Sequence, residues 1–477
     1  MTGEHLDELN FAHKRVTVVG LGIEGVDLAR YLSRRGAFVT VSDSKPREKL
    51  AQRADEADAL GVRLALGSNR PGDIAEAEAL FVSQGVPLDL PGVQTARQHG
   101  VPTYSMTGLF MELCPGPICG ITGSSGKTTT TLLVGEMFAA DERPVFIGGN
   151  VGIGLLDQLS SVRPYTWTVL EVSHTQLQLV DRSPHVAAIL NITPNHLDRF
   201  SWDEYRRLKA NIIRYQQPGD IAVLGYDDAE SRALEPAVKD RLLWFTLGDE
   251  LPGDGVFVRD DWAVIRMGRL KEKLFPLGTL RLRGRHNQAN AVAAAAIATA
   301  CGVSPDAIAC AVETFRGVPH RLEFVARAGR IAYYNDSIAT TPERALAGIR
   351  SFDEPVVLLL GGRDKQLPLE ELAAEAIKRC RAVILFGESA GKIEQALRAT
   401  SGSAQATIRR VETLPEAVDA ARREALPGDV VLLSPACTSY DAYDGFERRG
   451  EHFRTLVLEI AKAVLITAEG EQLPSLR

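Results

Sequence analysis

The stretch Gly120–Thr131, GITGSSGKTTTT, combines a glycine-rich turn with a Gly-Lys-Thr ending. An apolar run from Pro117 precedes it and the apolar TLLVGEMF continues from it, so strand, loop and helix are expected in that order. Backbone N–H groups of such a loop bind phosphates together with the positive end of the helix. Ile121 replaces the first glycine of the strict motif, so the match is to the compact variant TGSSGKT. The sequence predicts a nucleotide phosphate site at the edge of an α/β sheet.

Two side chains of this loop have distinct expected roles. Lys127 would reach the β- and γ-phosphates, and the hydroxyl of Thr128 would bind Mg²⁺. A plain Gly/Ser turn without a ligand is the alternative interpretation. The expected nucleotide contacts are Gly123, Ser124, Ser125, Gly126, Lys127, Thr128 and Thr129.

Length and composition limit the classes of protein. The 477 residues suffice for three domains at about 150 residues each. A net charge of -7, from 61 acidic and 54 basic residues, argues against a nucleic-acid surface, which needs an excess of Lys and Arg. The six cysteines show no C-x-x-C spacing, and the N-terminus is too polar for a signal peptide. No window approaches about 18 uninterrupted apolar residues. We expect a cytoplasmic protein that neither spans a membrane nor binds nucleic acid.

The first segment has the pattern of a Rossmann unit. RVTVVGLGIEGVDLARYLSRRG places Gly20, Gly22 and Gly25 between a β-branched run and a helix, and Asp43 follows the next strand. This arrangement alone would suggest a dinucleotide dehydrogenase. Such loops hold any diphosphate, however, and a dehydrogenase does not explain the second phosphate loop.

The remaining segments also alternate strands and helices, which predicts mostly parallel sheets. A charged, glycine-rich stretch from Gly248 to Arg283 is interpreted as short antiparallel strands added to the second sheet. The predicted fold class is α/β with three domains. They are a Rossmann-like domain at 1–115, a central phosphate-loop domain at 116–318 and a second Rossmann-like domain at 319–477.

Polar residues follow two strands of the central segment. Glu171 ends TWTVLEVSH, and His196 and Asp198 come just after AAILNITP. Carboxyl ends of parallel strands meet at one edge of a sheet, so Glu171 and His196 are candidate Mg²⁺ ligands beside the phosphate loop. In the alternative interpretation His196 caps a turn and Asp198 pairs with Arg199.

Several motifs together resemble the Mur ligases over essentially the whole chain. They are TGSSGKTTTT, NITPNHLDRF, YRRLKANII, GRHNQANAVAAAAIA, PHRLEFV, NDS, LLLGGRDK and SPACTSYDAYDGFERRGEHF. The resemblance implies an ATP-dependent amide ligase of peptidoglycan synthesis that works through an acyl phosphate with two Mg²⁺ ions. It favours the member that adds D-glutamate to UDP-N-acetylmuramoyl-L-alanine, acting as a monomer.

The resemblance also implies roles for individual residues. Lys127, His196, Lys209 and Arg321 would be catalytic, with Lys209 carbamylated so that it becomes an anionic metal ligand beside Thr128, Glu171 and His196. Further nucleotide contacts would be Asn287, Asn290, Arg321 and Asp336. The UDP-linked substrate would meet Ser44, Lys45, Ser83, Asn150, Ser173 and His196. The incoming glutamate would meet Thr340, Lys365, Ser439 and Phe446.

Some positions depart from the family pattern and leave alternatives open. Ile338 stands where a lysine is usual after Asn-Asp-Ser, His174 and Thr175 replace Ser and Phe, and Glu24 lies in the first glycine loop. A ligase for L-glutamate or another amino acid therefore remains an alternative. A diaminopimelate- or lysine-adding ligase would carry a D-N-P-R block, which is absent, and folate-polyglutamate enzymes lack the first segment. A non-catalytic nucleotide-binding regulator would not need Lys209, His196 and Arg321 together.

Overall fold

The computed structural model describes residues 9–150, 154–195, 197, 199–400 and 406–470, and for 465–470 it describes the backbone alone. The chain divides into two compact units. One comprises Met1–Arg281 and Arg285–Phe315, and the other comprises Leu282–Gly284 and Arg316–Arg477. The first unit contains two sheets and the second contains one, which confirms the predicted α/β class. Among the described helices, none has the length and apolar character needed to cross a membrane.

The first sheet has five parallel strands in the order β3-β2-β1-β4-β5. Its strands are β1 (Arg15–Val19), β2 (Phe38–Asp43), β3 (Arg63–Leu66), β4 (Ala79–Val82) and β5 (Thr103–Tyr104). Its helices are α1 (Ile23–Arg34), α2 (Arg47–Ala59), α3 (Pro71–Ala75), α4 (Pro91–Gln98) and α5 (Met106–Leu113). The turn between β1 and α1 requires glycine, because a β-carbon on Gly25 would lie 1.9 Å from the carbonyl oxygen of Gly20.

The second sheet has nine strands in the order β14-β13-β12-β11-β10-β9-β6-β8-β7. They are β6 (Ile118–Thr122), β7 (Val145–Gly149), β8 (Trp167–Glu171), β9 (Val186–Ile189), β10 (Ile221–Gly225), β11 (Arg241–Phe245), β12 (Gly255–Arg259), β13 (Trp262–Met267) and β14 (Leu270–Pro276). The helices are α6 (Lys127–Ala140), α7 (Trp202–Arg214), α8 (Ala229–Arg232), α9 (Arg285–Ala300) and α10 (Pro305–Thr314). The antiparallel extension predicted for 248–283 begins only at β13, because β12 pairs in parallel with β11.

Strand β6 is the centre of this arrangement. It pairs in parallel with β8 on one side and β9 on the other, so the carboxyl ends of these three strands meet at the phosphate loop. Helix α9 packs against α6 through a buried, alanine-rich face. Small side chains allow the two helices to approach closely, which fixes the direction of α6 behind the loop.

Asp27 on α1 joins the first sheet to the second. Its carboxylate accepts hydrogen bonds from the backbone N–H groups of Leu156 (2.8 Å) and Asp157 (2.9 Å). Arg30, one turn further along α1, forms an ion pair with Asp157. A β-carbon on Gly154 would lie 2.8 Å from the Asp27 carboxylate, so this junction requires glycine. Within the first unit, the orientation of α1 is therefore tied to the segment that follows β7.

The third sheet has six strands in the order β15-β16-β20-β17-β18-β19. They are β15 (Glu323–Ala328), β16 (Ile331–Asn335), β17 (Val356–Gly361), β18 (Cys380–Phe386), β19 (Thr407–Arg410) and β20 (Val430–Ala436). Only β15 is antiparallel to its neighbour. The helices are α11 (Pro342–Arg350), α12 (Glu370–Arg379), α13 (Ala390–Ala399), α14 (Leu414–Glu424) and α15 (Phe446–Gly470). The apolar stretches IAYYNDS, PVVLLLGG, AVILFG and DVVLLSPA correspond to β16, β17, β18 and β20, whereas β15 and β19 are more polar.

Arg449 on α15 is fully buried in the second unit. Its guanidinium donates to the carbonyl oxygens of Ser337 (2.9 Å) and Cys437 (3.1 Å) and to the Ser337 hydroxyl (3.0 Å). Burial lowers the pKa of Arg449 to about 10. Since the carbonyls lie just after β16 and β20, one side chain joins the ends of two strands to the last helix.

We expect Arg449→Met to destabilise the second unit by about 2–5 kcal/mol, because it leaves buried carbonyls without donors. Urea unfolding followed by far-UV circular dichroism reports on both units. Tryptophan fluorescence reports on the first unit alone, which contains all four tryptophans, Trp167, Trp202, Trp244 and Trp262. The dichroism transition should move to lower urea while the fluorescence transition stays in place.

Arg448→Met is the matched control. The Arg448 side chain is 71% exposed and its ion pair with Glu451 is 3.3 Å long. Surface ion pairs contribute roughly 0–1 kcal/mol, so this variant should unfold like the parent. An Arg449→Met protein within about 0.5 kcal/mol of the parent would contradict the structural role of the buried guanidinium.

Candidate active site

The phosphate loop lies between β6 and α6 and is supported by the segment after β9. Ser124 N–H donates to the carbonyl of Asn191 (2.9 Å), and Ser125 N–H donates to the Asn191 side-chain oxygen (2.9 Å). Gly126 has a φ of +83°, and a β-carbon there would lie 2.2 Å from Oδ1 of Asn290. The loop therefore needs glycine at this position, as its sequence predicts.

Lys127 begins α6 and its side chain turns back over the loop. Its Nζ donates to the carbonyl oxygens of Gly123 (2.8 Å) and Ser124 (3.4 Å). The half-buried Thr128 and the buried Thr129 follow in the first turn. A cation, a helix N-terminus and inward-facing glycine positions are the features that a triphosphate needs.

Glu171 ends β8 directly beside this loop, with Ile121 of β6 as its partner in the sheet register. The residue is only 2% exposed. Its Oε1 accepts a hydrogen bond from Nδ2 of Asn150 (2.9 Å), whereas its buried Oε2 has no hydrogen-bond partner among the described residues. An unpaired buried carboxylate oxygen is costly, and a divalent cation would satisfy it. This observation fits a Mg²⁺ site.

The structure describes only some of the other residues assigned to metal binding. His196, and Asp198 with it, lies outside the described residues. Within the described ranges, no three His, Cys, Asp or Glu side chains form a metal-binding cluster. Oxygen donors at this edge come from Glu171 and from the Thr128 hydroxyl, which are of the type that Mg²⁺ prefers.

Lys209 on α7 contacts the start of the phosphate loop. It is 1% exposed, and its Nζ donates to Oγ1 of Thr122 (3.2 Å) and to the carbonyl of Gly123 (2.9 Å). Burial, followed by the positive charge of Lys127, holds the pKa of Lys209 well below its usual range, and Glu171 acts in the opposite direction. The result is a buried amine that loses its proton far more readily than a surface lysine.

Two amides on α9 face the phosphate loop. Nδ2 of Asn290 donates to Oδ1 of Asn287 (3.2 Å), so the two predicted nucleotide contacts lie together. The Asn290 side-chain oxygen is directed toward Gly126.

The predicted uridine contacts lie at the carboxyl edge of the first sheet. Ser44 and Lys45 are exposed after β2. Ser83 is buried, and its hydroxyl donates to the carbonyl of Gly20 (3.1 Å). Asp43 accepts from the backbone N–H groups of Leu21 (2.7 Å) and Lys45 (2.8 Å). Asp43 and Ser83 thus shape the glycine turn in this structure.

Asn150 and Ser173 meet a residue that sequence reasoning missed. The Gln84 amide donates to Oδ1 of Asn150 (3.4 Å) and accepts from the Ser173 hydroxyl (3.2 Å). Asn191 was also missed, although it supports the phosphate loop. Both are polar residues two positions after a strand, a signal that many loops share, and Asn191 also opens the NITPNHLDRF motif.

In the second unit, Asp336 is almost fully buried. Its Oδ2 accepts from the Ser434 hydroxyl (2.8 Å) and its Oδ1 from the backbone N–H of Leu322 (3.2 Å). Burial raises the pKa of Asp336 to about 7, and its two hydrogen bonds and the charge of Arg321 act in the opposite direction. Arg321, the predicted γ-phosphate contact, is half-buried beside this carboxyl.

Two of the predicted glutamate contacts lie together. Nζ of Lys365 donates to Oγ1 of Thr340 (3.2 Å), and the Lys365 side chain is exposed. Ser439 is buried, and Phe446 begins α15 with its ring 6.2 Å from that of His320. The half-buried Ile338, two residues before Thr340, supplies no charge to this surface.

Three domain families match the chain in order. The Mur ligase MurD-like N-terminal domain matches residues 14–105, the Mur ligase middle domain matches 121–298, and the Mur ligase glutamate ligase domain matches 320–437. Solved structures of the same architecture include MurC from Thermotoga maritima, with a TM-score of 0.53 and 18% identity over 94% of this chain and 100% of that one. MurF from Acinetobacter baumannii has a TM-score of 0.55 and 19% identity, covering 93% of each chain.

Curated relatives are closer in sequence. A UDP-N-acetylmuramoylalanine–D-glutamate ligase from Symbiobacterium thermophilum is 42% identical over 93% of this chain and 98% of its own length. The protein of the same name from Koribacter versatilis is 37% identical over 94% of this chain and 98% of its own. Mur ligases use ATP and Mg²⁺. The three ordered domains and the full-length relatives together establish that this chain belongs to the Mur ligase family, in the branch of the UDP-N-acetylmuramoylalanine–D-glutamate ligases.

Proposed function

We propose that this protein joins D-glutamate to UDP-N-acetylmuramoyl-L-alanine, with ATP as the source of energy. The proposal depends on the phosphate loop, the buried Glu171 carboxylate, whose Oε2 has no hydrogen-bond partner in the described part of the chain, and the buried Lys209 amine, which contacts the start of the loop. A carboxylate does not react with an amine at neutral pH, so it must first become an acyl phosphate. An ATP site beside a metal-ligand carboxylate supplies that activation.

The residues of the chain would share the work as follows. The loop residues 123–126 with Lys127, Thr128 and Thr129 hold the triphosphate, Asn287 and Asn290 meet the adenosine side, and Arg321 and Asp336 complete the nucleotide contacts. Ser44, Lys45 and Ser83 bind the uridine end of the substrate, and Asn150 and Ser173 bind its peptide end. His196 is assigned to both metal and substrate.

We assign Thr128 and Glu171 to one Mg²⁺, and His196 with carbamylated Lys209 to a second. When bound, these ions screen the negative charges of the carboxylate and the γ-phosphate from each other. A protonated Lys209 would repel a cation, whereas the buried and readily deprotonated amine can react with CO₂ to give an anionic oxygen ligand.

We further propose domain boundaries at 115/116 and 318/319, which enclose the three sheets. All residues assigned to the substrates come from one chain, so we propose that the protein acts as a monomer. The UDP-linked substrate and ATP point to the cytoplasm as its place of action. L-Glutamate or another amino acid is the alternative acceptor, because Ile338 removes a cation that the family pattern has near this pocket.

The direct test is phosphate release from ATP in the presence of UDP-N-acetylmuramoyl-L-alanine and a panel of amino acids, with the product identified by mass spectrometry. D-Glutamate should give the fastest amide formation. Faster reaction with L-glutamate or a neutral amino acid would overturn the acceptor and leave the ligase chemistry intact. Release of phosphate without any amide product would overturn the ligase itself.

We expect Lys127→Ala to lower turnover by at least about 100-fold, the scale of losing one charge contact in the transition state. Steady-state phosphate release at saturating substrates measures the effect. Lys49→Ala, at an exposed lysine on α2, is the control and should retain parental turnover. Near-normal activity of Lys127→Ala would remove this lysine from the catalytic site.

Lys209→Ala should be almost inactive, since it removes the atom that carries the proposed carbamate. Short carboxylic acids added to the buffer should restore part of the activity by replacing the anionic ligand, and they should have no effect on the parent. The control is Arg207→Ala, an exposed neighbour on α7. Full activity of the alanine variant, or loss that no carboxylate restores in a folded protein, would argue against a carbamate.

Lys365→Ala should raise the KM for glutamate about 10- to 100-fold, the cost of removing one charge-assisted hydrogen bond to a carboxylate. The KM for ATP should change little. Lys378→Ala, at an exposed lysine on α12, is the matched control. An unchanged KM for glutamate would show that Lys365 does not bind the amino acid.

A further inference from the structure

The loop after β4 places Gln84 between the two sheets of the first unit. Its Nε2 donates to Oδ1 of Asn150 (3.4 Å), and its Oε1 accepts from the hydroxyl of Ser173 (3.2 Å). The opposite end of the Asn150 amide donates to Oε1 of Glu171 (2.9 Å). A continuous row of hydrogen bonds thus connects the carboxylate at the end of β8 with the first sheet.

Glu24 fixes the backbone of Gln84 and closes a ring. Its carboxylate accepts from the backbone N–H of Gln84 (3.0 Å) and from Nε2 of Gln176 (3.4 Å). Oε1 of Gln176 accepts from the backbone N–H of Ser173 (2.9 Å). Burial raises the pKa of Glu24, and the hydrogen bonds from Gln84 and Gln176 act in the opposite direction. The ring gives a reason for an acidic residue in a glycine loop.

The cavity beside Glu24, Gln84 and Gln176 is too small for a substrate. The cavity that Glu24, Gln84 and Gln176 line holds about 10 Å³. That volume is enough for roughly one water molecule. The ring groups therefore satisfy one another, and Gln84 influences the substrate through Asn150 and Ser173.

We propose that Gln84 is a positioning residue for the UDP-linked substrate, because it orients the Asn150 amide and the Ser173 hydroxyl that we assign to the peptide end of that substrate. This inference rests on the proposed function. Gln84 fixes which end of the Asn150 amide faces Glu171, so it also couples the first sheet to the metal-ligand carboxylate. An amide is suited to this role because it donates to one partner and accepts from the other.

Gln84→Met tests the inference, since methionine keeps the length and bulk of the side chain and removes both hydrogen bonds. The KM for UDP-N-acetylmuramoyl-L-alanine should rise about tenfold, the scale of one to two neutral hydrogen bonds. The KM for ATP should stay the same, and kcat should change less than about threefold. Calorimetric titration of this substrate without ATP should show the same loss of affinity.

A purely structural role would not give this pattern, so two comparisons separate the cases. Gln94→Met, on α4, is the control. It removes a hydrogen bond from Gln94 Nε2 to the Leu88 carbonyl (2.6 Å) and should leave kcat and the KM of each substrate unchanged. Combined with Asn150→Ala, Gln84→Met should cost less than the product of the two single effects, because the substitutions remove one shared contact.

Each outcome decides between the ideas. The positioning role would be overturned if a folded Gln84→Met protein had the parental KM and affinity, or if its effect were fully additive with that of Asn150→Ala. Because the parent protein would still be active in that case, the ligase function would stand. A parent that neither binds UDP-N-acetylmuramoyl-L-alanine nor forms an amide would overturn the proposed function and this inference with it. If Gln84→Met does not fold, Glu24→Gln provides the second variant: it weakens one of the two ring contacts of Glu24 and should raise the same KM by about threefold or more. An unchanged KM for UDP-N-acetylmuramoyl-L-alanine in Glu24→Gln would contradict the proposed effect of the ring on substrate binding.

Discussion

The Glu171 carboxylate is buried, and its Oε2 has no hydrogen-bond partner within the described ranges, so the site needs a further group that satisfies this oxygen. Lys127 and Lys209 both donate to the carbonyl of Gly123 in the phosphate loop, and the charge of Lys127 lowers the pKa of Lys209. Keeping both protonated in a buried site would be costly, so the more buried Lys209 gives up its proton more readily. Lys127, half-buried at the start of α6, donates to the carbonyl oxygens of Gly123 and Ser124 in the same loop. The two amines thus meet at one backbone segment and differ in burial.

The parts of this site that the sequence predicts are those encoded locally. The phosphate loop needs Gly126 because of its positive φ and the approach of Asn290, and both the glycine and the following lysine are visible in twelve residues. Glu171 is predictable because it ends an apolar strand, and parallel strands bring their carboxyl ends to one edge. The alternation of strands and helices predicts the three mostly parallel sheets, because helical connections join parallel strands. β15 and β19 are too polar to be recognised as strands in the sequence.

Contacts between distant segments could not be predicted in the same way. Gln84 meets Asn150 across 66 positions of the chain, and nothing in the SQG sequence indicates that partner. Asp336 carries the expected NDS motif, yet its two oxygens already accept hydrogen bonds within the second unit. The pairing of Lys365 with Thr340 needed the tertiary structure as well.

The strand order of the third sheet has a consequence for synthesis on the ribosome. β20 is the last strand made, yet it lies in the middle of the sheet, between β16 and β17. Until it emerges, each of those strands has one edge without its native partner, and the Arg449 contacts that hold β16 and β20 to α15 come later still. The first sheet, in contrast, is complete once Tyr104 has been added. The nascent chain must therefore carry a finished first sheet and an unfinished third one until β20 has emerged, and unpaired strand edges in this interval are sites for aggregation or chaperone binding.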